Sequence, residues 1–181
     1  GFGIGPRINA AGRLDSASVG IELLTTRDKQ RARQLANELN SLNDRRRQEG
    51  EQIFIEAVRL IDQQPQLLEK KVIVLSSPDW QPGVIGIVSS QLAKHYERPF
   101  VLITTRGDIS RGSIRSFAGM NIFRTLEECS HLLVNYGGHR EAAGFEIASN
   151  KIELFKEEYV SRLDAHLKDE DLYSVVQIDY E

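Results

Sequence analysis

The sequence predicts an α/β fold in which a largely buried sheet carries helices on both faces and is preceded by one long helix. Two observations lead to this fold class. After Pro65, short apolar runs typical of buried strands alternate with stretches that have the period of amphipathic helices. Residues 28–64 contain no proline and a single glycine, Gly50, so a helix of unusual length can form there.

The first 27 residues predict a structured loop followed by a short helix. Residues 1–14 (GFGIGPRINAAGRL) are rich in glycine, contain Pro6 and show neither a helical nor a strand period, which favours a loop. Residues 16–25 have a helical pattern, for which Ser16 or Asp15 can provide the N-cap.

The long helix has an interrupted apolar stripe. Leu35, Leu39 and Leu42 form its first half, Arg46 and Glu49 interrupt it, and apolar residues resume beyond them. Such a gap is expected of a helix that bridges two bodies through solvent. We therefore expect the first half to pack on an upstream domain that is missing, and the leucines exposed by its absence to favour dimerisation.

The remaining elements follow in regular alternation. They are a strand at 71–75, a helix at 84–96, a strand at 100–104, a glycine-containing strand at 112–115, a helix at 121–129, strands near 132–134 and 144–147, and a helix at 151–167. A further strand-like run, residues 173–178 (YSVVQI), follows an acidic segment. We interpret it as the start of another, truncated domain.

Charge is unevenly distributed along the chain. The net charge is −3, yet residues 94–124 contain six basic and two acidic residues, whereas residues 146–181 contain ten acidic and four basic ones. Since local field matters more than the total, the basic middle is compatible with nucleic-acid binding, although charge alone favours an ordinary solvated surface. The sequence shows neither a membrane span nor a leader peptide, from which we expect no membrane partner and a cytoplasmic protein.

Several catalytic signatures are absent. The sequence contains no phosphate-binding P-loop, no nucleophile elbow and no zinc motif, and its four histidines are scattered. Cys129 lies among leucines and is expected to be a buried, inert thiol. We therefore expect no metal or cofactor to be held by this chain itself.

Three glycine-containing polar segments are candidates for ligand binding. In GSIRS (112–116), Ser113 and Arg115 point to the same face of a strand, where a hydroxyl and a guanidinium could contact one phosphate. In YGGH (136–139), the two glycines allow close backbone approach and His139 could donate to a phosphate oxygen. In each case the alternative is ordinary surface structure. The third segment is the opening loop, whose candidates are Arg7, Asn9 and Arg13.

Four segments, in this order, resemble the RecJ single-stranded-DNA exonucleases of the DHH phosphoesterase superfamily. They are GPRINAAGRL (5–14), WQPGVIGIVSSQL (80–92), GSIRS (112–116) and GGHREAAGF (137–145). Gln81 stands where family members usually carry histidine, so no chemistry is assigned to it.

The resemblance implies a division of the chain into parts of a larger enzyme. Residues 1–27 would be the remnant of a DHH catalytic domain, 28–66 a connecting helix, 67–170 a DHHA1-type substrate-binding domain, and 171–181 the start of an oligonucleotide-binding fold. Mg²⁺ or Mn²⁺ would be held by the missing DHH domain, acting in cis, and the partner would be single-stranded DNA. The fragment alone is therefore expected to be inactive.

The resemblance also assigns substrate-binding residues. Ser113 and Arg115 would hold the 5′-terminal phosphate. The other candidates are Ser116, the loop Gly137, Gly138 and His139, and the channel residues Arg7, Asn9 and Arg13. Two alternatives remain open at this stage: a DHH-type phosphodiesterase acting on short oligonucleotides or cyclic dinucleotides, and a non-catalytic nucleic-acid-binding scaffold of the same superfamily.

Overall fold

The structure is a computed structural model that describes residues 3–166. Within this range the helices are α1 (Ile4–Leu14), α2 (Ser18–Thr25), α3 (Lys29–Gln63), α4 (Pro82–His95), α5 (Ile122–Glu128) and α6 (Ile152–His166). The strands are β1 (Ile73–Ser77), β2 (Phe100–Thr104), β3 (Ile109–Arg115), β4 (Leu133–His139) and β5 (Ala142–Ala148). They form one sheet of order β1-β2-β3-β5-β4, in which only the β1–β2 pair is parallel.

Side-chain alternation along the strands builds two apolar cores, one on each face of the sheet. On one face, Val101, Ile114 and Ile147 pack with residues of α5 and α6. On the other face, Ile73 and Leu102 pack with residues of α3 and α4. The predicted α/β class, with helices on both faces, is confirmed.

The second face is covered by helices over only part of its width. Its positions are apolar on β1 and β2, but the same face continues through Ser113 on β3, Gly144 on β5 and Gly137 on β4. Gly137 and Gly144 are exposed. The sheet therefore provides a core under α3 and α4 and, beside it, an uncovered polar surface.

The long helix forms almost where the sequence predicts it. Asp28 is its N-cap, and its side chain accepts hydrogen bonds from the backbone N–H groups of Gln30 and Arg31. The pattern of burial differs from the prediction: Leu35 and Leu39 are buried, because α1 and α2 pack on the first half of α3. The expectation that Leu35 and Leu39 are exposed was therefore wrong, and the dimerisation expected from that exposure stays untested.

The charged middle of α3 does not span a solvent gap between two bodies either. Asn43 is buried there, and Gly50 faces α4, where a Cβ would lie 3.6 Å from Val84 and 3.8 Å from Val88. The apolar stripe is interrupted because glycine and polar side chains meet neighbouring helices at this level. Unpaired apolar residues lie instead on the outer surface of α1 and α2, at Ile4, Ile21 and Leu24.

The opening segment is a helix and not the predicted loop. Pro6 lies in the first turn of α1, where its missing N–H is not needed. Ala10 and Ala11 are fully buried, and their small side chains let α1 approach α3 closely. Packing thus overrides the low helical propensity of the glycines.

Two further local predictions need correction. Gly137, Gly138 and His139 belong to strand β4, which a two-residue turn connects to β5, so this segment is not a loop. The helix at 18–25 has Ala17 at its N-cap position and no side-chain capping bond. Residues 173–178, predicted to start another domain, lie outside the described residues. Between residues 3 and 166, no helix is both long and apolar enough to cross a membrane.

Candidate nucleic-acid interface

Ser113 and Arg115 lie side by side on the uncovered end of the sheet face. As strand alternation predicts, both side chains lie on the same face of β3, and Arg115 Nη1 donates to Ser113 Oγ at 3.0 Å. The same nitrogen donates to the carbonyl of Ile114 at 2.7 Å. These bonds hold the guanidinium in place, while the hydroxyl proton of Ser113 remains able to donate to an anion.

The Arg115 guanidinium has no acidic partner within residues 3–166. Burial, and then the nearby charge of Arg13, lower the pKa of Arg115. A half-buried cation without a counter-ion is costly in the free protein, and an anionic ligand would relieve that cost. Nε and Nη2 have no hydrogen-bond partner among the described residues, and this pair can contact two oxygens of one phosphate.

Two glycines of α4 create the space for this arrangement. A Cβ at Gly86 would lie 2.9 Å from Arg115 Nη2 and 3.1 Å from Ser113 Oγ, so only glycine leaves both groups where they are. A Cβ at Gly83 would overlap the carbonyl of Arg13 at the end of α1. Arg13 Nη1 in turn donates to the carbonyl of Gly83 at 3.2 Å. The glycines thus bring α1, α4 and β3 into contact around one cluster of charge.

Part of the floor of the site is formed by glycines and has no side chains. Gly137 on β4 pairs with Gly144 on β5, and a Cβ at Gly137 would meet nothing within 4 Å. A ligand can therefore approach the backbone closely at this point. The two glycines, with Arg13, Ser113 and Arg115, line a cavity of about 670 Å³.

His139 lies at the end of β4, beside an adjoining cavity of about 660 Å³ that Arg13, Arg115 and Ser116 also line. His139 Nδ1 accepts a hydrogen bond from the backbone N–H of Glu141 at 3.4 Å. In the neutral imidazole the proton then resides on Nε2, which can donate to a phosphate oxygen.

The structure does not bring all predicted site residues together. Ser116 Oγ donates to the carbonyl of Met120 at 2.8 Å, so its hydroxyl proton is engaged in a turn. Gly138 lies on the opposite strand face, where its φ of 154° and the closeness of Ala143 exclude a side chain. Arg7 and Asn9 line neither of the two cavities.

Arg7 has a structural contact instead. Its Nε donates to Asn40 Oδ1 at 2.5 Å, which ties α1 to α3. Of the three candidates in the opening segment, only Arg13 reaches the uncovered sheet face.

Sequence reasoning missed several residues of this surface. No ligand-binding role was predicted for Gly83, Gly86, Arg111 or Asn135, although all four line the larger cavity. Arg111 forms an ion pair with Glu146 across β3 and β5, with 3.0 Å between Nε and Oε1. Glycines inside a helix, which cost about 1 kcal/mol each relative to alanine, were the signal that could have indicated a close approach.

Within the described range, no group of three or more histidine, cysteine, aspartate or glutamate side chains is placed to hold a metal ion. The arrangement is suited to binding an anion: fixed donors, a bare backbone floor and positive charge. The fold is that of an α/β domain whose uncovered sheet face carries a site suited to an anion.

Comparison with known proteins identifies the family. Residues 69–165 match the model of the DHHA1 domain, and the chain belongs to this family. It is homologous to the DHHA1 region of the RecJ single-stranded-DNA-specific exonucleases.

The chain is 34% identical to RecJ of Bacillus subtilis over 99% of its length, and 36% identical to RecJ of Dickeya dadantii over its whole length. It spans only 23% and 33% of these relatives, respectively.

Solved RecJ structures share this fold. The structure of Thermus thermophilus RecJ in complex with Mn²⁺ matches 93% of the chain with a TM-score of 0.81 and 36% identity, and the chain covers 24% of that protein. The structure of the same protein in complex with Mg²⁺ matches with a TM-score of 0.78, and the chain covers 26% of it.

Proposed function

We propose that this chain is the substrate-binding part of a 5′→3′ single-stranded-DNA exonuclease. In this proposal Ser113 and Arg115 bind the 5′-terminal phosphate, and Gly137 and His139 contact the next phosphodiester. Hydrolysis is performed by Mg²⁺ or Mn²⁺ ions in a DHH domain of the same polypeptide. Support for a further domain comes from the relatives, of which this chain spans only a quarter to a third.

The observation that carries the proposal is the guanidinium of Arg115, which is held in place and not neutralised by any described carboxylate. A terminal phosphate carries about −1.5 to −2 charges near neutral pH, whereas an internal diester carries about −1. A fixed cation with two available N–H groups therefore favours a phosphorylated end over an internal position of the DNA strand. Arg13, whose charge acts on the same guanidinium, adds to the local field.

The test is a comparison of 5′-phosphorylated and 5′-hydroxyl DNA strands labelled at the 3′ end, with binding followed by fluorescence anisotropy. Charge-assisted hydrogen bonds contribute roughly 1.5–3 kcal/mol, so Arg115→Ala should weaken binding of the phosphorylated strand by about one to two orders of magnitude. The hydroxyl strand should bind almost unchanged.

Two further variants sharpen this test. Arg115→Lys should recover only part of the loss, because an ammonium cannot contact two oxygens in a fork. Ser113→Ala should weaken binding in the same direction but less, since it removes one neutral donor. If Arg115→Ala weakened both DNA strands equally, Arg115 would be a general backbone contact and the assignment of the 5′ pocket would be wrong.

A further inference from the structure

A third cavity lies next to the candidate 5′ pocket, between α3 and α4. Its volume is about 720 Å³, within the range of about 300–1,000 Å³ that is typical of ligand pockets. It shares Ile87, Gln91 and Lys94, a stripe along α4, with the cavity beside Arg115. The surface is therefore continuous from the open sheet face, across α4, to the middle of the long helix.

The cavity between α3 and α4 is positively charged. Arg46, Arg47 and Lys94 line it, against the single carboxylate of Glu51. No ion pair of these three cations with an acidic side chain is found within residues 3–166. The cavity thus offers unneutralised charge to an anionic ligand.

Arg46 is the most informative of the three cations. Burial, followed by the charges of Arg13 and Arg47, lowers the pKa of Arg46. Its Nε is buried and has no hydrogen-bond partner among residues 3–166. A desolvated donor without a partner is unfavourable, and an anion bound in this cavity would provide an acceptor for it.

Arg13 joins the two charged regions. Its charge acts on Arg115 on one side and on Arg46 on the other, and it lines the cavity beside Arg115. Three guanidinium groups thus follow one another along the surface, from β3 through α1 to α3.

Apolar and aromatic side chains accompany the charge. Phe54, Val84 and Ile87 line the cavity, and the ring of His95 meets that of Phe54 edge to face with centroids 5.7 Å apart. Cations that follow a phosphate backbone, together with aromatic rings on which bases can stack, are the combination typical of surfaces that bind single-stranded nucleic acid.

We propose that the cavity of Arg46, Arg47 and Lys94 is a second binding site for the DNA strand, occupied by nucleotides downstream of the 5′ end. Arg46 and Lys94 bind internal phosphates there, and Phe54 and His95 contact bases. This inference rests on the proposed function, because it takes the 5′ end to be held at Arg115. In this proposal the long helix α3 also forms part of the substrate-binding surface.

The experiment measures binding of 5′-phosphorylated oligonucleotides of increasing length, from a dinucleotide to about 12 nucleotides, at several salt concentrations. The variants are Arg46→Gln and Lys94→Gln, and the matched control is Arg59→Gln, an exposed position of the same helix that lines none of these cavities. Thermal melts followed by circular dichroism check folding. Because Lys94 is exposed, its variant tests the proposal even if Arg46→Gln does not fold.

We expect each variant to weaken binding of the long oligonucleotide roughly tenfold. Arg46→Gln, which does not line the cavity beside Arg115, should leave binding of the dinucleotide nearly unchanged, and Lys94→Gln should weaken binding of the long oligonucleotide more than that of the dinucleotide. The slope of log affinity against log salt should fall by about 0.7 for each phosphate contact that is lost. The proposal would be overturned if Arg46→Gln and Lys94→Gln bound the long oligonucleotide with the same affinity and the same salt slope as the control Arg59→Gln. If the proposed function itself were wrong, a different result would be seen. The wild-type protein would bind strands with and without a 5′ phosphate equally well, and Arg115→Ala would not change this binding.

Discussion

Gly86 offers a substitution that should separate folding from ligand binding. In Gly86→Ala the new methyl group would lie 2.9 Å from Arg115 Nη2 and 3.1 Å from Ser113 Oγ. The neighbour that must move is the flexible end of an arginine, so the helix can accept the change. Replacing glycine by alanine in a helix interior contributes about 0.5–1 kcal/mol of stability. We therefore expect the free energy of unfolding to stay constant or to rise.

Binding should change in the opposite direction. Relief of the contact requires Nη2 to move by about half an ångström or more, away from the position that presents two N–H groups to a phosphate. Losing up to half of an interaction worth about 1.5–3 kcal/mol weakens binding of 5′-phosphorylated DNA roughly three- to tenfold. Gly86→Val should reduce it further, since a branched side chain also excludes the ligand.

The assay combines chemical denaturation with anisotropy measurements on phosphorylated and hydroxyl DNA strands. The control is Ser161→Ala, an exposed helical position in α6 on the other face of the sheet, which should affect stability slightly and binding not at all. A folded Gly86→Ala protein that binds phosphorylated DNA as tightly as the wild type would refute the reasoning, because Arg115 would then not need its present position.

Three further predictions concern the core and the reaction. Glu56 accepts hydrogen bonds from Trp80 Nε1 at 3.0 Å and Ser77 Oγ at 3.1 Å, so Glu56→Gln should cost about 1–2 kcal/mol of stability, measured by the fluorescence of the only tryptophan. Burial, and then the carboxylate of Glu158, raise the pKa of Cys129 from 9.0 to about 11. Between these two pH values the Cys129 thiol loses its proton in the unfolded chain but keeps it in the folded chain. The free energy of unfolding should therefore fall as pH rises, by at most about 1.4 kcal/mol per pH unit, and Cys129→Ala should reduce this slope. Finally, the purified chain should release no nucleotides from 5′-labelled single strands with Mg²⁺ or Mn²⁺; metal-dependent release that survives removal of contaminating nucleases would contradict this expectation.

The parts of the fold that sequence predicted well are those with local causes. The run FVLIT at 100–104 forms β2 with the predicted bounds, because a short apolar segment between turn residues has few alternatives. Asp28 begins α3 because its side chain satisfies backbone donors only two and three positions away. The shared face of Ser113 and Arg115 follows from strand periodicity alone.

The errors have non-local causes. The helix α1 exists because Ala10 and Ala11 are buried against α3, a contact that the composition of residues 1–14 does not show. The burial of Leu35 and Leu39 depends on the same packing. Likewise, the requirement for glycine at position 86 becomes visible only when α4 lies across β3, because the contact is with residues about thirty positions further along the chain.

The alternation along β3 makes the candidate site and the core inseparable. Ser113 and Arg115 face the ligand surface, whereas Ile114 between them is fully buried in the opposite core. Deleting or inserting one residue in this strand would exchange the two sets: an isoleucine would face the phosphate, and a hydroxyl or a guanidinium would enter the apolar interior. Evolution can therefore alter this site by substitution but not by a change in the length of β3. A shift of one residue would abolish ligand binding and disrupt the apolar core at the same time.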